Sequence, residues 1–401
     1  MSIDRRSFVV AAATTAAILP ARLLGAADQQ RDPLGVRDDF PIVSDHVFLN
    51  SAYIAPVPRA VVAASHAFVE AKSARPMQLS ALMATNEAVR AQFARIVKAK
   101  PEEIGLLYST GEGESVIANG IGLKAGDNVV IDDLHYNTEF VLYRALEASR
   151  GIELRIVKNR DGAVTAHDFE PHIDKRTRIV SVAWISHLNG FRHDMRPIAD
   201  LAHAHGALFY ADAVQAVGMI DVDVRASGVD ALCCGSYKWL MAEFGVAPFF
   251  VSEGYIDRIQ SDRIGEFSVA HTEPDYRYQL LKTARKFEAT SPAFGAVSQL
   301  QASLSYLERT GIGRIEEHTV GLARQLHEGL VKQGHKVFTP PENRSSIVTF
   351  HCGRPVPEAR AAFQAANIEV TVRAGQVRVS PALFNNADEI EKCLDVSKRL
   401  V

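Results

Sequence analysis

From Leu106 onward the chain alternates short apolar runs with stretches of helical period, and few folds accept that rhythm. Residues 129–131, 154–157, 179–184, 207–210 and 231–234 read as strands, and residues 139–149, 165–173 and 197–205 as helices between them. Runs that are apolar at nearly every position need cover on both faces, and parallel neighbours need a crossover between them. The pattern therefore predicts an α/β domain with a mostly parallel, covered sheet. Such sheets bind ligands at the carboxyl ends of their strands. Polar residues just after each run are the ones to inspect.

Near Phe287 the rhythm changes. Residues 294–309 and 313–333 read as two long amphipathic helices. A strand at 347–350, a helix near 358–366, a strand pair around Thr371 and Val377 and a last helix from Ala387 complete a smaller α+β lobe. The expected division is a large domain over 51–286 and a small one over 287–401. A polar N-terminal arm over 28–50 precedes them.

Residues 1–27 are set apart as an export signal. Arg5-Arg6 stands ahead of a short apolar stretch over 9–19, and the small residues Gly25-Ala26-Ala27 follow. Paired arginines point to the twin-arginine machinery and a periplasmic destination; a chance pair in a disordered leader is the alternative. No later segment is apolar for long enough to anchor the chain in a membrane. The 401 residues are 47% hydrophobic, enough for a large core, and the net charge of −3 offers no basic footprint for nucleic acid. The four cysteines read as buried fillers rather than metal ligands, because Cys233 and Cys234 would face opposite sides of one strand.

The chemistry concentrates in Tyr210-Ala211-Asp212-Ala213-Val214-Gln215 and Gly235-Ser236-Tyr237-Lys238-Trp239-Leu240. Asp212 ends one apolar run, where its carboxylate would project into a crevice. Lys238 follows another run by a few residues. Burial disfavours the charged form of a lysine and leaves its amine nucleophilic toward carbonyls. On spacing alone, an aspartate capping a helix and a lysine snorkelling at the surface fit equally well.

These motifs, with Val47-Phe48-Leu49-Asn50-Ser51-Ala52 before them and Gln376-Val377-Arg378-Val379-Ser380 after, resemble the class V aminotransferases, fold-type I pyridoxal-phosphate enzymes that include cysteine desulfurases and isopenicillin-N-epimerase-like proteins. The resemblance runs from about Phe40 to the C-terminus. It implies a large, mostly parallel sheet of the seven-stranded type beside a small α+β domain, and pyridoxal 5'-phosphate as cofactor. Lys238 is then the Schiff-base lysine, Asp212 the partner of the pyridine nitrogen, and Gln215 a donor to the phenolic oxygen. His187 stands where the family usually has Asn beside that oxygen, and Tyr136 at the position that stacks on the ring. At the phosphate end the resemblance implies the loop holding Glu112 and Gly113, with Glu112 serving through its backbone N–H and Gly113 standing where a Thr is usual. Tyr237 is similar to a phosphate ligand, and Thr290 or Ser291 to the segment that reaches the phosphate of a neighbouring subunit, which implies a homodimer with shared sites. Arg378 matches the arginine that grips the α-carboxylate of an amino-acid-like substrate, with Asn50 beside it.

The expected reaction is of the aminotransferase type at the α-carbon. A lyase or epimerase of the epimerase-like branch, toward which Gly190-Phe191-Arg192-His193-Asp194 leans, is the alternative, and a cofactor-binding protein without turnover is a third reading. Cysteine desulfurase chemistry is set aside because residues 367–377 contain no Cys and Cys352 lies far upstream. A nicotinamide oxidoreductase is disfavoured, since no strand leads into a Gly-x-Gly-x-x-Gly turn.

Overall fold

Residues 31–401 are described by the computed structural model, so the leader expected over 1–27 lies outside the described residues. After a two-residue strand, β1 (Val47–Phe48), come helices α1 (Arg59–Ala74) and α2 (Leu79–Val97). The central sheet is then built from β2 (Ile104–Leu107), β3 (Asn128–Asp132), β4 (Glu153–Val157), β5 (Thr177–Ala183), β6 (Leu208–Asp212), β7 (Ala231–Cys233) and β8 (Ala247–Val251). Their order is β2-β8-β7-β6-β5-β3-β4, seven strands in all. Every pair from β4 to β7 is parallel, whereas β8 runs antiparallel to both β2 and β7. This is the α/β, fold-type I architecture that the sequence predicts.

The centres of the strands are mostly apolar because the sheet feeds two cores. Val129, Ile131, Ile179, Leu208 and Tyr210 pack into one buried cluster, and Val130, Val180, Val182, Phe209 and Ala211 into the other. Cys233 and Cys234 fall into opposite clusters, and all four cysteines are free. Cys352 is only half-buried, which corrects the expectation of four buried fillers. Helices α3 (Thr110–Gly120) and α4 (Asn137–Arg150) cover the first face through Val116, Ile117, Tyr143 and Leu146. The opposite face is covered by α2 and by α5 (Met195–Ala204) through Val89, Phe93 and Ile198. The helix expected over 165–173 is cut to Ala166–Phe169 and a 3-10 turn, Glu170–His172, because Pro171 has no N–H to continue it.

A hairpin of β9 (Val269–Thr272) and β10 (Tyr278–Leu280) precedes the long helices α6 (Phe294–Thr310) and α7 (Ile312–Lys332). The last lobe holds β11 (Val348–His351), α8 (Val356–Ala365), β12 (Ile368–Glu369), β13 (Thr371–Arg373), β14 (Gln376–Val379) and α9 (Ala387–Ser397). Its antiparallel sheet has the order β11-β14-β13, and Leu326, Phe363 and Ile390 back it from α7, α8 and α9. Only Ala374 and Gly375 separate β13 from β14, both left-handed with φ of 51° and 75°, so the turn is of the tight primed kind. β1 pairs with β12, and Asn50 bridges Ser380, which pins the N-terminal arm to this lobe.

Arg90 of α2 is fully buried and paired with Glu288, Nη2 to Oε2 at 2.6 Å and Nε to Oε1 at 3.1 Å. Glu288 also accepts the Leu106 N–H at 2.8 Å, so one carboxylate joins α2, β2 and the chain that leads to α6. Truncation by Glu288→Ala leaves the buried guanidinium only the exposed Glu87 carboxylate, 3.0 Å from Nη1, and should cost about 3 kcal/mol in denaturant unfolding. A cost below about 1 kcal/mol would show that this contact is not what joins the three elements.

Candidate active site

The register Ala183–Asp212–Cys233 across β5, β6 and β7 sets Asp212 at the carboxyl edge of the large sheet. Its Oδ1 accepts the Val214 N–H at 2.9 Å, and among the described residues no donor reaches Oδ2. Burial pushes this carboxyl up, against the opposing pull of the Val214 N–H and the Lys238 charge. A buried carboxylate with a free oxygen is a seat for a cationic N–H that the protein does not itself supply.

Lys238 lies in a loop held from several sides. Trp239 Nε1 donates to Gln215 Oε1 at 2.7 Å, Gln215 Nε2 donates to Ala52 O at 2.9 Å, and the Met241 N–H donates to Lys238 O at 2.8 Å. Gly218, at φ +95°, lets this loop approach, since a Cβ there would lie 2.4 Å from Trp239 O. Lys238 is 7% exposed, and burial lowers its amine to about 8 despite the nearby charge of Asp212. Its Nζ stands 5.9 Å from the Tyr136 ring centroid and 5.7 Å from that of Tyr237. Gln215, expected near a ligand oxygen, here ties the lysine loop to Ala52, just past the N-terminal arm.

Tyr136 is the residue before α4, and its ring meets His187 edge to face at 4.9 Å. Burial, then the charges of Arg378 and Lys238, hold His187 down to about 3, so its imidazole is neutral at physiological pH. Its Nδ1 is buried with no hydrogen-bond partner among the described residues.

Arg378 comes from the smaller lobe. Nη1 donates to His187 O at 2.7 Å and Nη2 to Thr371 Oγ1 at 3.4 Å, while the buried Nε has no partner among the described residues. Among the described residues no carboxylate pairs with it, and burial followed by the Arg373 charge lowers it to about 10. The Thr371 hydroxyl donates to Asn50 Oδ1 at 2.8 Å, so Asn50 reaches Arg378 through Thr371. Arg373 escaped the sequence reading. The signal was parity: Thr371 pairs with Arg378 and Arg373 with Gln376, so both arginines stand on one face of the hairpin.

At the opposite end, Ser109 caps α3 by accepting the Glu112 N–H at 3.3 Å. The Glu112 carboxylate lies beside the helix end, accepting the Tyr108 N–H and paired with Arg263, which offsets its charge there. The backbone N–H expected from Glu112 is thus taken by the cap, and the start of the helix offers those of Thr110 and Gly111 instead. Gly113 faces the sheet: a Cβ there would lie 2.4 Å from the Cys233 Cβ, so this glycine lets α3 settle on β7 and leaves no room for the Thr that is usual in the family. Thr110 Oγ1 accepts the Gly235 N–H at 2.9 Å, coupling this helix end to the lysine loop. The Tyr237 ring stacks on Phe244 at 4.3 Å. Thr290 and Ser291 are exposed and line an outer wall with Tyr108 and Glu112.

An amine that condenses with carbonyls, a carboxylate awaiting a protonated ring nitrogen, an aromatic face and a helix end for a dianion together fit a phosphorylated pyridine aldehyde. The model of the family Aminotransferase class-V matches residues 47–394. A probable cysteine desulfurase of Methanothermobacter thermautotrophicus is 29% identical over 355 residues, which cover 87% of this chain and 88% of that protein. The apo cysteine desulfurase of Thermococcus onnurineus NA1 superposes with a TM-score of 0.85 at 26% identity, covering 92% of this chain and 98% of that one. A C-DES variant with glycine covalently linked to its PLP cofactor shares the fold, with a TM-score of 0.84 at 16% identity over 91% and 99% of the two chains. These relatives overturn the expected aminotransferase-type reaction with its epimerase-like alternative, and with them the exclusion of cysteine desulfurases. That exclusion rested on one short segment, residues 367–377, whereas the likeness extends along almost the whole chain.

In the ligand-free protein, amine acylation at Lys238 should follow an apparent pKa of about 8. Half-maximal labelling near about 10.4, the ordinary lysine value, would mean the amine is solvated rather than buried.

Proposed function

The chain belongs to the class V aminotransferase family, and from that premise we propose that this pyridoxal-phosphate-dependent enzyme removes sulfur from the β-carbon of L-cysteine or a close sulfur-bearing analogue. The observation that carries the reading is Arg378, a half-buried arginine with a buried Nε and no carboxylate partner among the described residues, set in one crevice with the amine of Lys238. The relatives named as cysteine desulfurases supply the rest of the support.

Pyridoxal phosphate, when bound, supplies an aldehyde for amines and a ring that withdraws electrons. Lys238 would hold the aldehyde, Asp212 the ring nitrogen, Tyr136 the ring face, and the Thr110 and Gly111 N–H groups with Tyr237 the phosphate. Arg378 takes the α-carboxylate of the substrate, and its planar fork fixes which bond of the α-carbon is presented. Lys238 Nζ, lowered into the range where its neutral form is populated, takes the α-proton. His187, held neutral, adds no positive charge and keeps Nδ1 available as a hydrogen-bonding atom. The sulfur acceptor is then a thiol delivered to the crevice. Cys352 follows β11 with the core-facing parity of Val348 and Phe350, and Cys233, Cys234 and Cys393 are buried.

Two extensions belong to the same proposal. Exposed Thr290 and Ser291, with Tyr53, Tyr108 and Phe244 exposed nearby in the chain's outer loops, support a homodimer in which the phosphate end is completed across the interface. The Arg5-Arg6 leader supports export through the twin-arginine route to the periplasm.

With L-cysteine and a dithiol acceptor, the cofactor-loaded protein should release sulfide together with alanine, and Lys238→Ala should release neither. Arg378→Ala should raise KM for L-cysteine by about 30-fold or more while leaving the weak binding of cysteamine, which lacks the carboxylate, nearly unchanged. Sulfide no higher than from Lys238→Ala would refute the proposed reaction.

A further inference from the structure

Beneath Asp212, on the sheet face covered by α3 and α4, two carboxyl groups lie where water does not reach. Glu114 of α3 is 0% exposed and Glu139 of α4 is 1% exposed. The hydrogen bonds around them can be given a direction. The Tyr136 N–H donates to His135 Nδ1 at 2.8 Å, so the one proton of this ring sits on Nε2 and is donated to Ser181 Oγ at 2.9 Å. The Ser181 hydroxyl donates in turn to Glu114 Oε1 at 2.6 Å, and the Tyr143 hydroxyl donates to the same oxygen at 2.8 Å. Glu114 therefore collects every donor, as an ionised carboxylate does. Glu114 Oε2 and Glu139 Oε2 are both buried with no hydrogen-bond partner among the described residues, and the two side chains are close enough to hydrogen-bond once one carries a proton.

We propose that Glu114 and Glu139 share a single proton, carried on Glu139, and act as positioning residues that clamp the first turns of α3 and α4 together beneath the cofactor crevice. Two ionised carboxylates in a dry site repel, whereas one proton between them makes a short charge-assisted bond. Burial pushes both carboxyls up, Glu114 to about 7, and the Glu114 charge pushes Glu139 higher still, so above neutrality the one remaining proton stays on Glu139. The groups that face the pair are His135 from the turn before α4, Tyr143 from α4, Ser181 from β5, and Tyr210 and Asp212 from β6. None is a lysine or arginine, so no cation is at hand to hold both carboxyls ionised. The Tyr210 hydroxyl, from β6 on the same face, is likewise buried without a hydrogen-bond partner among the described residues.

The clamp bears on the site because of what each helix carries at its start. α3 begins with the free N–H groups of Thr110 and Gly111, and α4 begins immediately after Tyr136. Fixing one helix start against the other fixes the distance between the anion-binding end and the aromatic face. This role does not depend on which substrate the enzyme takes.

Infrared spectra of the native protein labelled with carboxyl-13C glutamate test the proton directly. At pH 8, about four units above an ordinary glutamate, a label-shifted carbonyl band of a neutral carboxylic acid should persist, and Glu139→Gln should remove it. Because the amide of Glu139→Gln still donates to Glu114, cofactor affinity should stay within about threefold of native, whereas Glu139→Leu should weaken it about tenfold. Absence of the band in the native protein would overturn the proposal even if no variant folds. So would equal weakening by the Gln and Leu substitutions.

Discussion

Taking Asp212 and Lys238 out of water in the same crevice is the constraint from which the rest of the site follows. Neither side chain is comfortable there: the carboxyl is pushed up and the amine down, and no direct hydrogen bond between them relieves either. A protein tolerates that cost only where the surroundings over-determine both positions. The strand register fixes Asp212, and the Trp239–Gln215–Ala52 chain with Gly218 beneath it fixes Lys238. A ligand with a basic ring nitrogen and an electrophilic carbon relieves both strains at once.

The remaining pieces arrive from other layers of the fold. The last lobe brings Arg378 to the crevice because β14 lies between β11 and β13, and because Asn50 and Thr371 brace its guanidinium from the N-terminal side. The first face of the sheet brings the helix end at Thr110 and the ring of Tyr136, with Glu114 and Glu139 between them. Positive charge thus gathers on the substrate side, in Arg378, Arg373 and Lys238, while carboxyl groups gather behind the sheet edge. That polarity suits an anionic substrate facing a protonated ring.

Much of this was legible in the chain. Strands β3 and β5 to β7 stand out because both faces of each are buried, with edge strand β4 half-covered, and Asp212, Lys238 and Arg378 follow apolar runs at positions where a polar residue is conspicuous. β8 was not legible, since an antiparallel neighbour needs no helical crossover and leaves no helix in the sequence to announce it. Pro171 shortened a helix that periodicity alone had extended. Gly113 illustrates a different blindness: its reason is the Cys233 side chain pressed against it, a contact that sequence spacing does not contain. Glu114 and Glu139 were passed over because charged residues on helices are usually solvated, and only the packing of α3 on α4 shows that these are not. The reaction was misjudged for a related reason, one loop having outweighed the likeness of the whole.

The central claim is that a single buried amine holds the cofactor. Borohydride reduction of the native, cofactor-loaded protein, followed by peptide mass mapping, tests it most directly. The account predicts one phosphopyridoxyl-modified lysine, at position 238, with visible absorption of the protein lost in proportion. Modification at another lysine, or a protein that keeps its cofactor without any reduced adduct, would contradict it.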